Sequence, residues 1–362
     1  MARIWAVMKD PGGHNAVWPV SEELKRRGHE VFDIATGTAV KILMEKKQLF
    51  IEAGKEAGYL LEWLDTPDAL LTSMCSEGGV GRDLIPIMRD MNIPTITLQD
   101  YWGGALKVEF GDNTYWPDAI CVPDELGKEM VLDAWQGYNP SHVCVTGQPA
   151  FDKLFYLDYV TIAKKMADCD PHRKLFCGSP IVVYAGQLRH SAATLRALIE
   201  ALNNLPDPAV LVALQHPRFK DNAPDEVAPW ELACEEFKNG RLVKGSAPFS
   251  TDEWVAASDL VVSMTSTVLA TGAYLRKECI AYLSPEIFES ELAANGFKFL
   301  PMAKVGACAV AENQDQLNQL VSKVRYVLGD PLAIRRNQEK YFKLDGQNAS
   351  RVADVVLGLI KT

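Results

Sequence analysis

The sequence of 362 residues has no C-x-x-C pair and no histidine at finger spacing beside its eight cysteines. Cys75, Cys121, Cys144, Cys169, Cys177, Cys234, Cys279 and Cys308 are scattered singly, mostly inside apolar runs. That spacing argues against a zinc finger and leads us to expect buried free thiols of a reducing compartment. No stretch approaches the ~18 apolar residues of a membrane-crossing helix, and the apolar run in the opening MARIWAVMKDPGG is too short for a signal-peptide core. A soluble cytoplasmic protein with no transmembrane segment is the expectation. Lys and Arg form no long stripe and the formal net charge is −10, which argues against a DNA or RNA backbone as partner. No short-period repeat is present.

What is present is enough apolar material, 48% of residues, to bury two cores in a chain too long for one. RIWAVM is a short apolar run, AVWPVSEELKRRG has Val17, Val20 and Leu24 at helical spacing closed by Gly28, and HEVFDIAT is again strand-like. This βαβ unit makes strands over Arg3–Met8 and Glu30–Ala35 parallel. PDALLTSMC, GRDLIPIMRDMN and IPTITLQD repeat the order, as do PDAICVPDELGKEMVLDAWQ and HVCVTGQPAFD. A second series runs through PIVVYAG, AVLVALQHP, GRLVKG, DLVVSM and CIAYL, with AATLRALIEALNN and TDEWVAA as helices between. The expected layout is a Rossmann-like domain over 1–150, a linker over 151–178, a second Rossmann-like domain over 179–335, and a terminal segment and helix over 336–362 that packs back on the first domain.

In an open α/β sheet, ligands sit beyond the carboxyl ends of the strands. After the first strand, KDPGGHN offers Gly12 and Gly13 for close backbone approach at a helix start, with His14 behind them; it is neither G-x-G-x-x-G nor a Walker loop. CSEGGVGRD places Glu77 ahead of three glycines, and TLQDYWGG places Asp100 after a strand of the same sheet. AGQLRHSAAT sets Arg189 and His190 beside a helix start as an anion clamp, with Ser191 as a cap. ALQHPRF adds His216 and Arg218. In ASDLVVSMTSTVLATGAYLRKECIAYL, the hydroxyls of Ser263, Thr265, Ser266 and Thr267 crowd the passage from a buried strand to a helix. Capping uses one hydroxyl. Several donors suit a phosphate, since charge-assisted bonds contribute about 1.5–3 kcal/mol each against about 0.3–1 kcal/mol for the helix dipole. The ligand implied is a nucleotide diphosphate.

GGHNAVWPVSEELKRRGHEV, VCVTGQPAFDKL, QHPRF and the segment over 257–283 carry a resemblance across nearly the whole chain. The chain resembles the two-domain glycosyltransferases of the GT-B fold, and within them the branch of the non-hydrolysing UDP-N-acetylglucosamine 2-epimerases and the CDP-glycerol glycerophosphotransferases. The resemblance implies two tandem doubly wound parallel-sheet domains, with the Gly12-Gly13 loop at the cleft and the donor nucleotide mainly in the second domain. It implies that Thr265, Ser266 and Thr267 hold the diphosphate with His216 close by, that His190 falls where a catalytic-site histidine lies, and that Glu77 and Asp100 fall where two carboxylates lie. The chain departs from the family where an acid binds the ribose: it has Leu269, Ala270 and Thr271 there.

Three functions are compatible with these residues. The leading expectation is a transferase moving a glycosyl or related group from a nucleotide-diphosphate donor, bound between the domains, to an acceptor hydroxyl. Helix-end amides and Arg189 or Arg218 stabilise the leaving diphosphate without a metal or cofactor, and Glu77, Asp100 or His14 activates the acceptor. The second is epimerisation at the sugar carbon next to the anomeric centre, by elimination and re-addition of the diphosphate, with Glu77, Asp100 and His190 serving the two sugar faces. The third is a nucleotide-sugar-binding protein that keeps the fold without the chemistry. A homo-oligomer is compatible with each.

Overall fold

The computed structural model of the chain describes residues 1–54, 57–74, 78–100, 102–169, 178–323 and 331–360. Two compact units divide the chain: Met1–Phe155 with Asp345–Thr362, and Tyr156–Leu344. The first unit runs β1 (Arg3–Met8), α1 (Pro11–Arg26), β2 (Glu30–Ala35), α2 (Gly37–Glu45), β3 (Ile51–Glu52), α3 (Tyr59–Trp63), β4 (Ala69–Ser73), α4 (Val80–Asp90), β5 (Thr95–Leu98), β6 (Ala119–Val122), α5 (Glu125–Ala134) and β7 (Val143–Val145). Short 3-10 turns, not an α-helix, carry the crossover from β5 to β6. The second unit runs α6 (Tyr159–Cys169), β8 (Ile181–Ala185), α7 (Ser191–Asn203), β9 (Ala209–Leu214), α8 (Phe219–Asn222), α9 (Pro224–Glu235), β10 (Gly240–Lys244), α10 (Thr251–Ala257), β11 (Leu260–Ser263), α11 (Val268–Tyr274), β12 (Glu278–Tyr282), α12 (Pro285–Glu291), α13 (Pro301–Lys304), β13 (Ala309–Ala311), α14 (Gln314–Lys323) and α15 (Pro331–Tyr341). The chain then returns to the first unit as α16 (Asn348–Leu359).

Each unit is built on one parallel sheet, as the continuous apolar strands require. In β1, Ile4, Ala6 and Met8 enter the core beneath α1 and α16, while Trp5 and Val7 enter the opposite core with Leu84, Ile85 and Met88 of α4. A strand buried on both faces has no polar side to show, which is why its sequence does not alternate. The first sheet has the order β3-β2-β1-β4-β5-β6-β7 and the second β10-β9-β8-β11-β12-β13. All the strand pairs are parallel. Strand order therefore reverses between β1 and β4 in one unit and between β8 and β11 in the other. These are the crevices where a doubly wound sheet leaves its loops apart.

The division of the chain differs from the expected layout at both ends. It falls after Phe155, because Pro149–Tyr156 forms 3-10 turns in which Leu154 is buried. In the expected linker, α6 is a helix of the second unit, held by buried Ile162 and by the Lys165–Glu253 ion pair to α10. With a single buried position its pattern reads as a loop. The remaining 170–177 lies outside the described residues. At the far end, Gln338 of α15 donates to the carbonyls of Lys277 and Ala307, and Phe342 packs edge-on against Tyr274, which keeps α15 in the second unit. Among the described residues, no helix is long and apolar enough to cross a membrane.

The terminal helix is part of the first core: Val352, Ala353 and Val356 are fully buried beside Val17, Val20 and Leu24 of α1. Its first turn is capped from a distance, as Asp152 accepts the backbone N–H groups of Asn348 (3.0 Å) and Ala349 (2.8 Å). Removing that carboxylate leaves two buried donors unpaired. Asp152→Ala is expected to lower stability by about 1–3 kcal/mol in urea denaturation, and Asp152→Asn, which keeps one acceptor, by less than half as much. An alanine variant as stable as the parent would show that α16 is held by packing alone.

Candidate functional site

At the carboxyl edge of the first sheet, the start of α1 is crowded by side chains from neighbouring strands. Asp10 caps the helix by accepting from the N–H of Gly13 at 2.7 Å, and Pro11 occupies the first turn, where a missing N–H costs nothing. A methyl group on Gly12 would lie 2.3 Å from Asp100 Oδ2, and one on Gly13 2.3 Å from Ser73 Oγ. The paired glycines thus admit the chain's own carboxyl and hydroxyl groups, which gives the loop a packing reason beside the expected ligand contact.

Asp100 lies two residues beyond β5, and its Oδ1 is enclosed with no hydrogen-bond partner. The residue as a whole is half-buried, and Oδ1 is its enclosed oxygen. Burial raises the carboxyl from an ordinary value of 3.8 to about 6; the charge of Lys107 pulls the other way, and that of Asp10 adds to the rise. Lys107 Nζ donates to the carbonyl of Met74 at 2.8 Å, at the end of β4. A carboxyl that titrates near neutrality can hold a proton or take one. Glu77, its expected companion, lies outside the described residues.

His14 is 1% exposed, its ring stacks on Trp18 and has Nδ1 3.2 Å from Asn15 Oδ1, and its Nε2 is enclosed with no hydrogen-bond partner. Burial lowers its pKa, which favours the neutral ring.

In the second unit, Gln187 joins the loops after β8 and β11, donating from Nε2 to Thr265 Oγ1 at 2.8 Å. Ser191 Oγ accepts the Gln187 N–H at 2.6 Å and so fixes the loop that carries Arg189 and His190. Arg189 has a largely exposed side chain, with Nε 3.3 Å from Glu291 Oε1 of α12. His190 precedes α7 in the left-handed region (φ 57°), with Nε2 3.0 Å from Ser290 Oγ. After β9, His216 Nδ1 accepts the Arg218 N–H at 3.1 Å. Burial, then the Arg218 charge, lowers the His216 pKa, so at neutral pH the ring is neutral with its proton on Nε2, a donor.

The four clustered hydroxyls have more protein partners than capping alone would give them. Ser263 donates to the carbonyl of Ala185, Thr265 accepts from Gln187, and Ser266 accepts the Val268 N–H. Thr267 is exposed. A hydroxyl that accepts still has a proton to give, so Thr265 and Ser266 remain donors toward an anion. α11 has only seven residues, which leaves its dipole a small part of any such site. Leu269, Ala270 and Thr271, where the ribose acid is absent, are buried in the core.

Gln148, Gln187, Lys107, Ser290 and Glu291 were not singled out from sequence. Gln187 stands inside a loop that strand-end reasoning already marks. Ser290 and Glu291 reach that loop from about 100 residues away, as the His190–Ser290 separation shows, and no local pattern announces them.

No family sequence model matches the chain, and a search of curated proteins finds no matching sequence. Solved structures do match over its whole length. UDP-GlcNAc 2-epimerase from Neisseria meningitidis bound to UDP-GlcNAc superposes with a TM-score of 0.67 at 13% identity, covering 98% of this chain and 100% of that one. The S. aureus MnaA–UDP structure gives 0.68 at 14% identity, covering 99% and 98%. A glycosyltransferase from Rickettsia africae gives 0.64 at 14% identity, covering 100% and 99%. The chain has the GT-B fold of these proteins, two Rossmann-like units in tandem.

The enclosed carboxyl of Asp100 makes a stability prediction. With its pKa raised on folding, the native state holds the proton more tightly than the unfolded chain between about pH 4 and pH 6, so stability falls as pH rises through that window. Asp100→Asn removes the cost. It should stabilise the protein at about pH 8, by at most about 3 kcal/mol, and leave it unchanged near pH 4. Thermal melting of both proteins across that range reads the difference, and parallel curves would show that the carboxyl is hydrated.

Proposed function

We propose that the chain acts on a nucleotide-diphosphate sugar and that its reaction is epimerisation at the sugar carbon next to the anomeric centre. This reverses the order expected from sequence, where group transfer came first. The observation that carries the reading is Asp100, a carboxyl titrating near neutrality at the carboxyl edge of a parallel sheet. Removing the proton at that carbon and breaking the bond to the diphosphate gives an unsaturated sugar and a nucleoside diphosphate. Returning the proton to the opposite face and re-adding the diphosphate gives the epimer. Asp100 exchanges the proton on one face. Glu77 is proposed for the other, by its place after β4.

In the second unit, the hydroxyls of Thr265 and Ser266, the N–H of neutral His216 and the guanidinium of Arg218 are the donors proposed for the diphosphate. His190 and Arg189, held by α12, are proposed to shape that edge. Substrate chemistry is supported by the proteins of like fold, one a UDP-GlcNAc 2-epimerase holding UDP-GlcNAc and another holding UDP. Group transfer to a hydroxyl is the second reading, favoured by the buried Leu269 and Ala270 where an epimerase of the resembled branch carries its ribose acid.

Deuterium oxide separates the two. Incubation with UDP-N-acetylglucosamine is expected to yield sugar with one deuterium at the carbon next to the anomeric centre, and Asp100→Asn should abolish the label. Release of nucleotide without label would favour transfer, and UDP raising the melting temperature with neither signal would favour a binding protein. Thr265→Ala with Ser266→Ala is expected to weaken UDP binding by about 1–3 kcal/mol in calorimetry; unchanged affinity would restrict these hydroxyls to the bonds they make within the protein.

A further inference from the structure

Gln148 is buried three residues beyond β7, and its side-chain amide reaches back to the end of β5. Nε2 donates to the carbonyls of Gln99 (3.1 Å) and Asp100 (2.8 Å). Consecutive carbonyls of an extended strand point to opposite sides, so two that meet one amide mark a turn. The turn starts where the ladder stops, since the Gln99 N–H still donates to Cys121 of β6 at 2.9 Å. We propose that Gln148 is a positioning residue: its amide clamps the turn after β5 and so holds the Asp100 carboxyl against the start of α1. This rests on the reading of Asp100 as the proton-transfer group.

The clamp answers a physical need. An enclosed carboxyl oxygen without a partner gains by swinging into water, and a loose turn would let it do so. Among the described residues, the charged groups facing it are Asp10 from the cap of α1 and Lys107 from the 3-10 run, neither of which bonds to Oδ1. Gln148 is itself anchored. Its carbonyl accepts from Asn348 Nδ2 at 3.2 Å, and the preceding Gly147 (φ +83°) has no room for a side chain, a Cβ there lying 1.9 Å from Asn348 Oδ1. The amide is therefore presented by a fixed segment rather than by a free loop.

Gln148→Met keeps length and volume but removes both donors. The test compares Gln148→Met with Gln148→Met/Asp100→Asn, following the difference in melting temperature from about pH 4 to pH 8 without substrate. The pH at which that difference levels off is the native titration of Asp100. With Gln148 in place it is expected to level off at about 6. With methionine it is expected to level off at least about one pH unit lower, as the carboxyl becomes hydrated. Gln148→Leu, which also lacks donors and adds no titrating group, is expected to do the same and serves if the methionine variant does not fold. A difference that still levels off at about 6 in either folded variant overturns the proposal, leaving Gln148 a packing residue. The titration needs no substrate, so an Asp100→Asn variant that still labels sugar would refute the proton-transfer reading separately.

Discussion

Asp152 accepts the two leading N–H groups of α16, and that bond joins parts of the first unit that are 196 and 197 residues apart in sequence. It fixes the segment after β7 against the terminal helix, with Asn348 bonding the Gln148 carbonyl and Arg351 donating to the carbonyl of Thr146 at 2.7 Å. From that segment the Gln148 amide reaches the turn carrying Asp100. The last helix thus bears on the candidate proton-transfer group without touching it.

Burial alone does not distinguish Asp100. Asp33 and Asp124 are also enclosed carboxyls with pKa values raised by desolvation. Asp33, however, is met by Ser21 and Lys25, and Asp124 by the Trp102 indole and the Gly127 N–H, so both serve the fold. Asp100 keeps an oxygen with no partner. A folded protein that tolerates such a group at a sheet's carboxyl edge sacrifices stability there, which is the usual signature of a site rather than of a core.

Architecture was legible because continuous apolar strands alternating with helical spacing leave little choice but parallel sheets, and the strand-end rule led directly to Asp100. The packing of His14 was not legible, because one histidine in a glycine loop carries no sign that Trp18, one turn further on, stacks over it. The protein partners of two hydroxyls in 257–283, Gln187 and Ala185, were not legible because they stand 78 residues away. The unit boundary was missed because α6 buries a single position, Ile162. What escaped was long-range pairing, which a local pattern does not encode.

Carbon-13 NMR of the Asp100 side-chain carboxyl, followed through a pH titration of the full chain and assigned by its loss in Asp100→Asn, tests the central claim most directly. A group enclosed without a partner and poised for proton transfer should titrate at about 6. A midpoint close to the ordinary 3.8 would mean that water reaches the carboxyl, and the assignment of Asp100 as the proton-transfer group would lose its physical basis.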